Sequence, residues 1–273
     1  MTTPFEPAPQ DSYATFAADI TPPASTSDPD NPPWGVGAAA LAWLASVALL
    51  FTMQLLAVAP YIFYRYRQAD FVRISEAVTN DPNVIVVSII SVIPAHLLTL
   101  AVVWAVVTQF GKHPFWRTLG WAWSENFGFW ASAGAALMLL LTSMAFAYFL
   151  GGEKTPFEQM IESSDAARLA TAFIAVAGAP LVEELIYRGM LYSALQRTIG
   201  VVWAVLVVTL LFTLVHVGQY HNNYAAIATV GTLSFFLTCV RAGTGRLLPC
   251  FIIHLIYNSV LVSALIYQFL SGK

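Results

Sequence analysis

Charge is what this sequence has least of. Asp, Glu, Lys and Arg make up 10% of the 273 residues and apolar types 58%, whereas a soluble domain carries about 25% charged residues. With a mean hydropathy of +0.69, the chain has too little polarity to wrap one core in a solvated surface. Repeated apolar runs of helical length place it instead among multi-pass α-helical membrane proteins. A net charge of −3 argues against nucleic acid as a partner. The two cysteines, Cys239 and Cys250, form no CxxC pair, which excludes a disulfide framework and a cysteine-based zinc site. Both read as small buried hydrophobes. Residues 1–33 contain no Lys or Arg but eight prolines and five acidic residues. That composition cannot bury a core and lacks the basic start of a signal peptide. Residues 1–33 are therefore expected to form a disordered, acidic, Pro-rich N-terminal tail that stays on the mature protein.

Seven apolar stretches follow, near 34–64, 84–110, 127–150, 166–187, 200–217, 223–241 and 247–270. A helical span needs about 20 residues, so all are candidates, the fifth and sixth least clearly. An amphipathic turn near 153–165 suits the membrane interface, and residues 188–199 suit a short polar helix or turn. No internal repeat is visible. The expected fold is all-α, a multi-pass transmembrane helical bundle of about seven to eight spans with a polar cavity. Lys and Arg divide six and six between the two sides, so loop charge selects no orientation.

Within this apolar background, residues 183–188 read Glu-Glu-Leu-Ile-Tyr-Arg. A charged side chain at a helix centre costs about 2.5–3.5 kcal/mol on insertion scales, so such a cluster must pair, line a wet cavity or do chemistry. Positions four apart share a helix face, so Glu184 and Arg188 are expected to pair while Glu183 points elsewhere. Pro180, in Gly178-Ala179-Pro180, suits a helix start, which would put Glu183 near a positive helix end. Two further polar positions lie on apolar segments: His216, four after Phe212, and His254, four before Asn258. Glu183 can take a proton from water. His216 can polarise that water or bind a metal. His254 and Asn258 carry N–H donors suited to an oxyanion.

Glu183-Glu184-x-x-x-Arg188, Phe212-x-x-x-His216 and His254-x-x-x-Asn258 resemble, in order, the three motifs of the CAAX-protease and bacteriocin-processing (CPBP) family, which includes the Rce1-type CAAX prenyl endopeptidases. The resemblance implies that residues 166–273 form a CPBP-type catalytic core preceded by N-terminal transmembrane helices over 34–165. It implies a glutamate-dependent intramembrane endopeptidase with Glu183 as base, His216 as its water-orienting partner, and His254 with Asn258 as the oxyanion hole. Glu184 and Arg188 would brace the site. The family is often labelled metalloprotease and a metal-free mechanism is also described for it. No HExxH helix is present, yet Glu183, His216 and His254 make a three-ligand set that a divalent metal such as zinc can occupy. The partners implied are the lipid bilayer and a membrane-associated peptide or protein substrate, with location in the cell (plasma) membrane.

Plainer readings stand beside these. A Glu184–Arg188 pair is commonly structural. His96, with no motif around it, reads as satisfying a neighbouring polar group. Tyr220 and His221 read as solvated loop residues, Phe212 as packing, and tryptophans such as Trp121, Trp123 and Trp130 as interface anchors. A non-catalytic scaffold or bacteriocin self-immunity protein would keep the fold but tolerate loss of a motif position, and all are present. A transporter would show paired repeats, and none is seen.

Overall fold

The computed structural model describes residues 28–271, which form ten helices and no strand. They are α1 (Val36–Arg65), α2 (Phe71–Asn80), α3 (Pro82–Thr108), α4 (Phe115–Thr118), α5 (Phe129–Leu150), α6 (Pro156–Glu162), α7 (Asp165–Ile199), α8 (Val201–Val217), α9 (Tyr224–Thr244) and α10 (Leu248–Leu270). Five of them, α1, α3, α5, α7 and α9, are long and apolar enough to cross a membrane, while α8 and the described part of α10 are shorter apolar helices. The chain is an all-α membrane bundle. The seven apolar stretches recur as these seven helices. One difference concerns residues 188–199, which do not form a separate element but continue α7 to Ile199. Their buried apolar side chains, from Met190 to Ala194, let the helix run on without a polar break.

Helix starts are set by local chemistry. The Asp70, Asp81, Ser164 and Asn223 side chains each accept a hydrogen bond from a backbone N–H of the first turn of α2, α3, α7 and α9. Thr155 and Glu158 close a reciprocal capping box on α6. Between α7 and α8 the single residue Gly200 turns the chain at φ 81°, a conformation that disfavours any side chain.

Most long apolar side chains of α1, α5 and α8 face outward, as lipid exposure requires. Contact between helices falls instead on small residues that let backbones approach, such as Ala39, Ala42, Ala95, Ala136 and Ala204. α7 lies at the centre. Leu185, Ile186, Tyr187, Met190 and Leu191 pack with α1, α3 and α8 in one cluster, and a second cluster joins α5, α9 and α10 around Leu237 and Ile253.

Two stretches of α7 are π-helical, Ile174–Gly178 and Leu185–Tyr192. The first has an identifiable cause. Pro180 carries no N–H, and the wider turn lets the Ala179 N–H bond to the Ile174 carbonyl instead. The helix therefore runs through Pro180 without restarting, contrary to the sequence expectation. Glu183 sits inside a continuous helix, away from any positive end.

Residues 28–33 also depart from expectation. Assigned with residues 1–27 to the tail, they instead form a strap across one end of the bundle. Asp30 accepts from the buried Arg241 at 2.7 Å and from Gln196 at 3.1 Å. Arg197 donates to Asn31 at 2.7 Å and to the Pro32 carbonyl at 2.9 Å. The buried Arg241 and the exposed Arg197 hold acidic, amide and carbonyl oxygens that composition alone marks as solvated. Residues 1–27 lie outside the described residues.

Candidate active site

α7 presents its two adjacent glutamates to different surroundings. Glu184 is fully buried and Glu183 retains 22% side-chain exposure. The Glu184 Oε1 accepts from Arg188 Nη1 at 3.0 Å and from His254 Nδ1 at 2.8 Å. Arg188 is itself fully buried. Its Nε donates to Thr238 at 3.2 Å, and its Nη2 to the Ser234 carbonyl and hydroxyl, both at 2.9 Å. Its guanidinium also lies 4.9 Å from the centre of the Phe212 ring. The expected Glu184–Arg188 pair thus forms, enlarged by an Arg-binding patch on α9 and by a histidine from α10.

His254 connects the two carboxylates. Its Nδ1 meets Glu184, and its Nε2 lies 3.7 Å from Glu183 Oε2, beyond a direct hydrogen bond. An ionised Glu184 only accepts, so Nδ1 carries a hydrogen. The neutral ring then offers a lone pair at Nε2, and the imidazolium offers an N–H.

His216 closes another side. Its Nδ1 lies 2.7 Å from the Phe212 carbonyl, which can only accept, so the hydrogen sits on Nδ1 and Nε2 keeps its lone pair. The ring stacks on Phe212 at 4.5 Å, and the Tyr187 ring meets Phe212 edge-on at 4.9 Å. Phe212 therefore fixes both the histidine and the guanidinium.

Asn258 has a backbone partner. Its Nδ2 donates to the Ala175 carbonyl at 2.9 Å. With the Ala179 N–H bonded to Ile174, the next π-type donor for Ala175 would be residue 180, a proline. Asn258 supplies the hydrogen that Pro180 lacks and keeps one N–H in reserve.

The structure thus brings Glu183, Glu184, Arg188 and His254 into one connected group, with His216 joined through Phe212 and Asn258 through the first π turn. Among the described residues, no three His, Cys, Asp or Glu side chains are gathered as a metal-binding group. His216 is committed to a carbonyl at Nδ1 and forms no close pair with Glu183, so the residues proposed for zinc do not present a formed three-ligand set.

Several supporting residues escaped the sequence reading. Trp43 and Trp34 donate their indole N–H to the Tyr187 hydroxyl at 3.0 Å and to the Met190 carbonyl at 3.2 Å. They therefore brace α7 from inside the bundle. Ser234 and Thr238, four apart on α9, carried a helical-face signal that could have been read as an arginine partner. His96 lies against Gly178 and within the field of Glu183, and it makes no hydrogen bond among the described residues. His221 is exposed, as expected. Tyr220 is not a solvated loop residue. Its ring lies parallel to His216 at 6.5 Å and edge-on to Phe157 at 5.8 Å.

Residues 165–260 match the family model described as type II CAAX prenyl endopeptidase Rce1-like. This segment contains all three motifs, from Glu183 to Asn258, and is that of the CPBP/Rce1-type family. No curated protein and no solved structure matches the chain.

Proposed function

We propose that this chain, whose residues 165–260 match the Rce1-like family, is a glutamate-dependent intramembrane endopeptidase acting on a membrane-presented peptide. The observation that carries the proposal is the unequal pair on α7. Glu184 is sealed and held by Arg188 and His254, while Glu183 is partly open, lacks any such clamp and faces the same histidine across 3.7 Å. Two adjacent carboxylates are thereby divided into a brace and a base.

In the reaction, a water held by Glu183 and by the lone pair of His216 Nε2 attacks the scissile carbonyl carbon. Glu183 takes the water proton, and the carbonyl π electrons move to oxygen. His254, protonated at Nε2, and the spare N–H of Asn258 face that oxygen. Collapse re-forms the carbonyl, breaks the C–N bond and passes the proton from Glu183 to the leaving amine. No step is routed through a metal.

The test uses purified full-length protein in detergent and a quenched fluorescent peptide ending in a farnesylated CaaX sequence. Glu183→Gln keeps the side-chain shape and removes the basic oxygen, so turnover should fall to background with an unchanged melting temperature. Normal turnover by this variant rejects Glu183 as base, and an inert wild-type protein favours the scaffold reading. Metal content is measured on the same samples. Stoichiometric zinc that disappears in His254→Ala would move that histidine into a metal shell.

A further inference from the structure

The loop Gly218–Asn223 between α8 and α9 brings a residue outside all three motifs to the candidate site. The Tyr220 N–H bonds back to the His216 and Val217 carbonyls at 3.2 and 3.3 Å, which keeps the residue against the end of α8. At the other end of the loop, Asn223 caps α9 through its Oδ1 and donates from Nδ2 to the Glu153 carbonyl at 3.1 Å. Tyr220 thus sits in a loop tied at both ends, with its ring held between His216 and Phe157. From there the phenol lies within the electrostatic reach of Glu183 and Tyr257, residues of α7 and α10, and of Glu158 on α6. Its hydroxyl makes no hydrogen bond among the described residues.

Asn258 and His254 each have one N–H engaged, with Ala175 and Glu184, and one left to face the oxyanion. A half-buried hydroxyl without a partner, on a ring lying parallel to the water-orienting histidine at 6.5 Å, is a donor waiting for an acceptor. We infer that the Tyr220 hydroxyl donates a hydrogen bond to the carbonyl oxygen of the scissile peptide and holds it more strongly as the tetrahedral oxyanion. The inference rests on the endopeptidase reading above. No proton is transferred in this contact. The carbonyl π electrons move to oxygen as water adds, the oxyanion accepts the O–H, and the bond weakens again as the carbonyl re-forms. Burial pushes the Tyr220 phenol to a higher pKa, and the charge of Glu183 adds to the effect, so the hydrogen needed for donation is retained near neutral pH.

The experiment compares wild type, Tyr220→Phe, Tyr220→Ala and Glu183→Gln on the farnesylated CaaX probe, with kcat, KM and melting temperature for each. Tyr220→Phe keeps the ring contacts and removes only the unpaired hydroxyl, so its melting temperature should match wild type. Loss of one oxyanion donor lowers kcat by about 10²-fold with KM nearly unchanged. Tyr220→Ala should lower kcat at least as far and also raise KM as the ring is lost. Wild-type kcat in Tyr220→Phe, or a change confined to KM, overturns the inference. If Glu183→Gln is inert and Tyr220→Phe is normal, only the role of Tyr220 fails. If Glu183→Gln turns over normally, or wild type is inert on the probe, the endopeptidase reading fails first.

Discussion

Asn258 serves two masters in this structure, and a double-mutant cycle with Pro180 separates them. Its Nδ2 donates to the Ala175 carbonyl at 2.9 Å, while its second N–H is the one assigned to the oxyanion. Asn258→Ala leaves that carbonyl without a donor at membrane depth. An unsatisfied buried acceptor costs about 1–3 kcal/mol. At about 2–4 °C per kcal/mol for a chain of this size, the melting temperature should fall by about 2–12 °C. Pro180→Ala restores an N–H five positions after Ala175, which matches the π-type bond between Ala179 and Ile174. In that background Asn258→Ala should cost markedly less, the difference being the interaction energy that the cycle measures. The catalytic loss should behave differently. If the spare N–H faces the oxyanion, kcat falls by about 10²–10³-fold in both backgrounds, since the backbone N–H restored by Pro180→Ala cannot replace that donor. The assay is thermal unfolding in detergent beside probe kinetics for the four proteins. An equal melting-temperature penalty in both backgrounds refutes the pairing of Asn258 with the Pro180 gap. A kcat loss that vanishes in Pro180→Ala makes Asn258 a positioning residue only.

Two further outcomes follow from buried and surface electrostatics. Arg188→Ala breaks the buried pair with Glu184 and leaves Ser234 and Thr238 without their guanidinium, so stability should fall by about 3–5 kcal/mol; a melting temperature within about 2 °C of wild type rejects the bracing role. Outside the membrane segments, burial opposes the charge of Asp81, but hydrogen bonds from Tyr66, the Asn83 backbone and Tyr61 outweigh it and hold the carboxyl below its usual range. A depressed folded value contributes stability above the ordinary aspartate pKa of about 3.9 and loses it as pH falls through the folded value. Melting temperature measured from pH 6 down to pH 3 should therefore drop less in Asp81→Asn than in wild type, and identical pH curves refute the linkage.

The helical architecture was legible because lipid exposure writes itself into composition: every apolar stretch became a helix. The motif residues were legible because charge inside apolar sequence has so few explanations, and the four-residue spacing of Glu184 and Arg188 did become an ion pair. What sequence could not supply was partners distant in the chain. Nothing local to Trp43 says that its indole will meet Tyr187, and nothing local to Asn258 says that it will answer a proline on another helix. Tyr220 was misjudged because its loop is polar, although the Phe157 and His216 rings on either side leave it only half-exposed. The contacts of residues 28–33 were hidden for the same reason: the strap is held by Arg241, Arg197 and Gln196, not by its own composition.

That strap has a consequence for how the protein is made. Asp30 and Arg241 lie 211 positions apart, so at about 5–20 residues per second the acidic partner emerges roughly 10–40 s before the arginine that buries against it. During that interval the N-terminal segment must wait on the side of the membrane where α9 will end. A chain threaded with the opposite orientation of its first helix would leave Arg241 inside the bundle with no counter-charge. The ion pair can therefore close only after the first and the penultimate spanning segments are both in place.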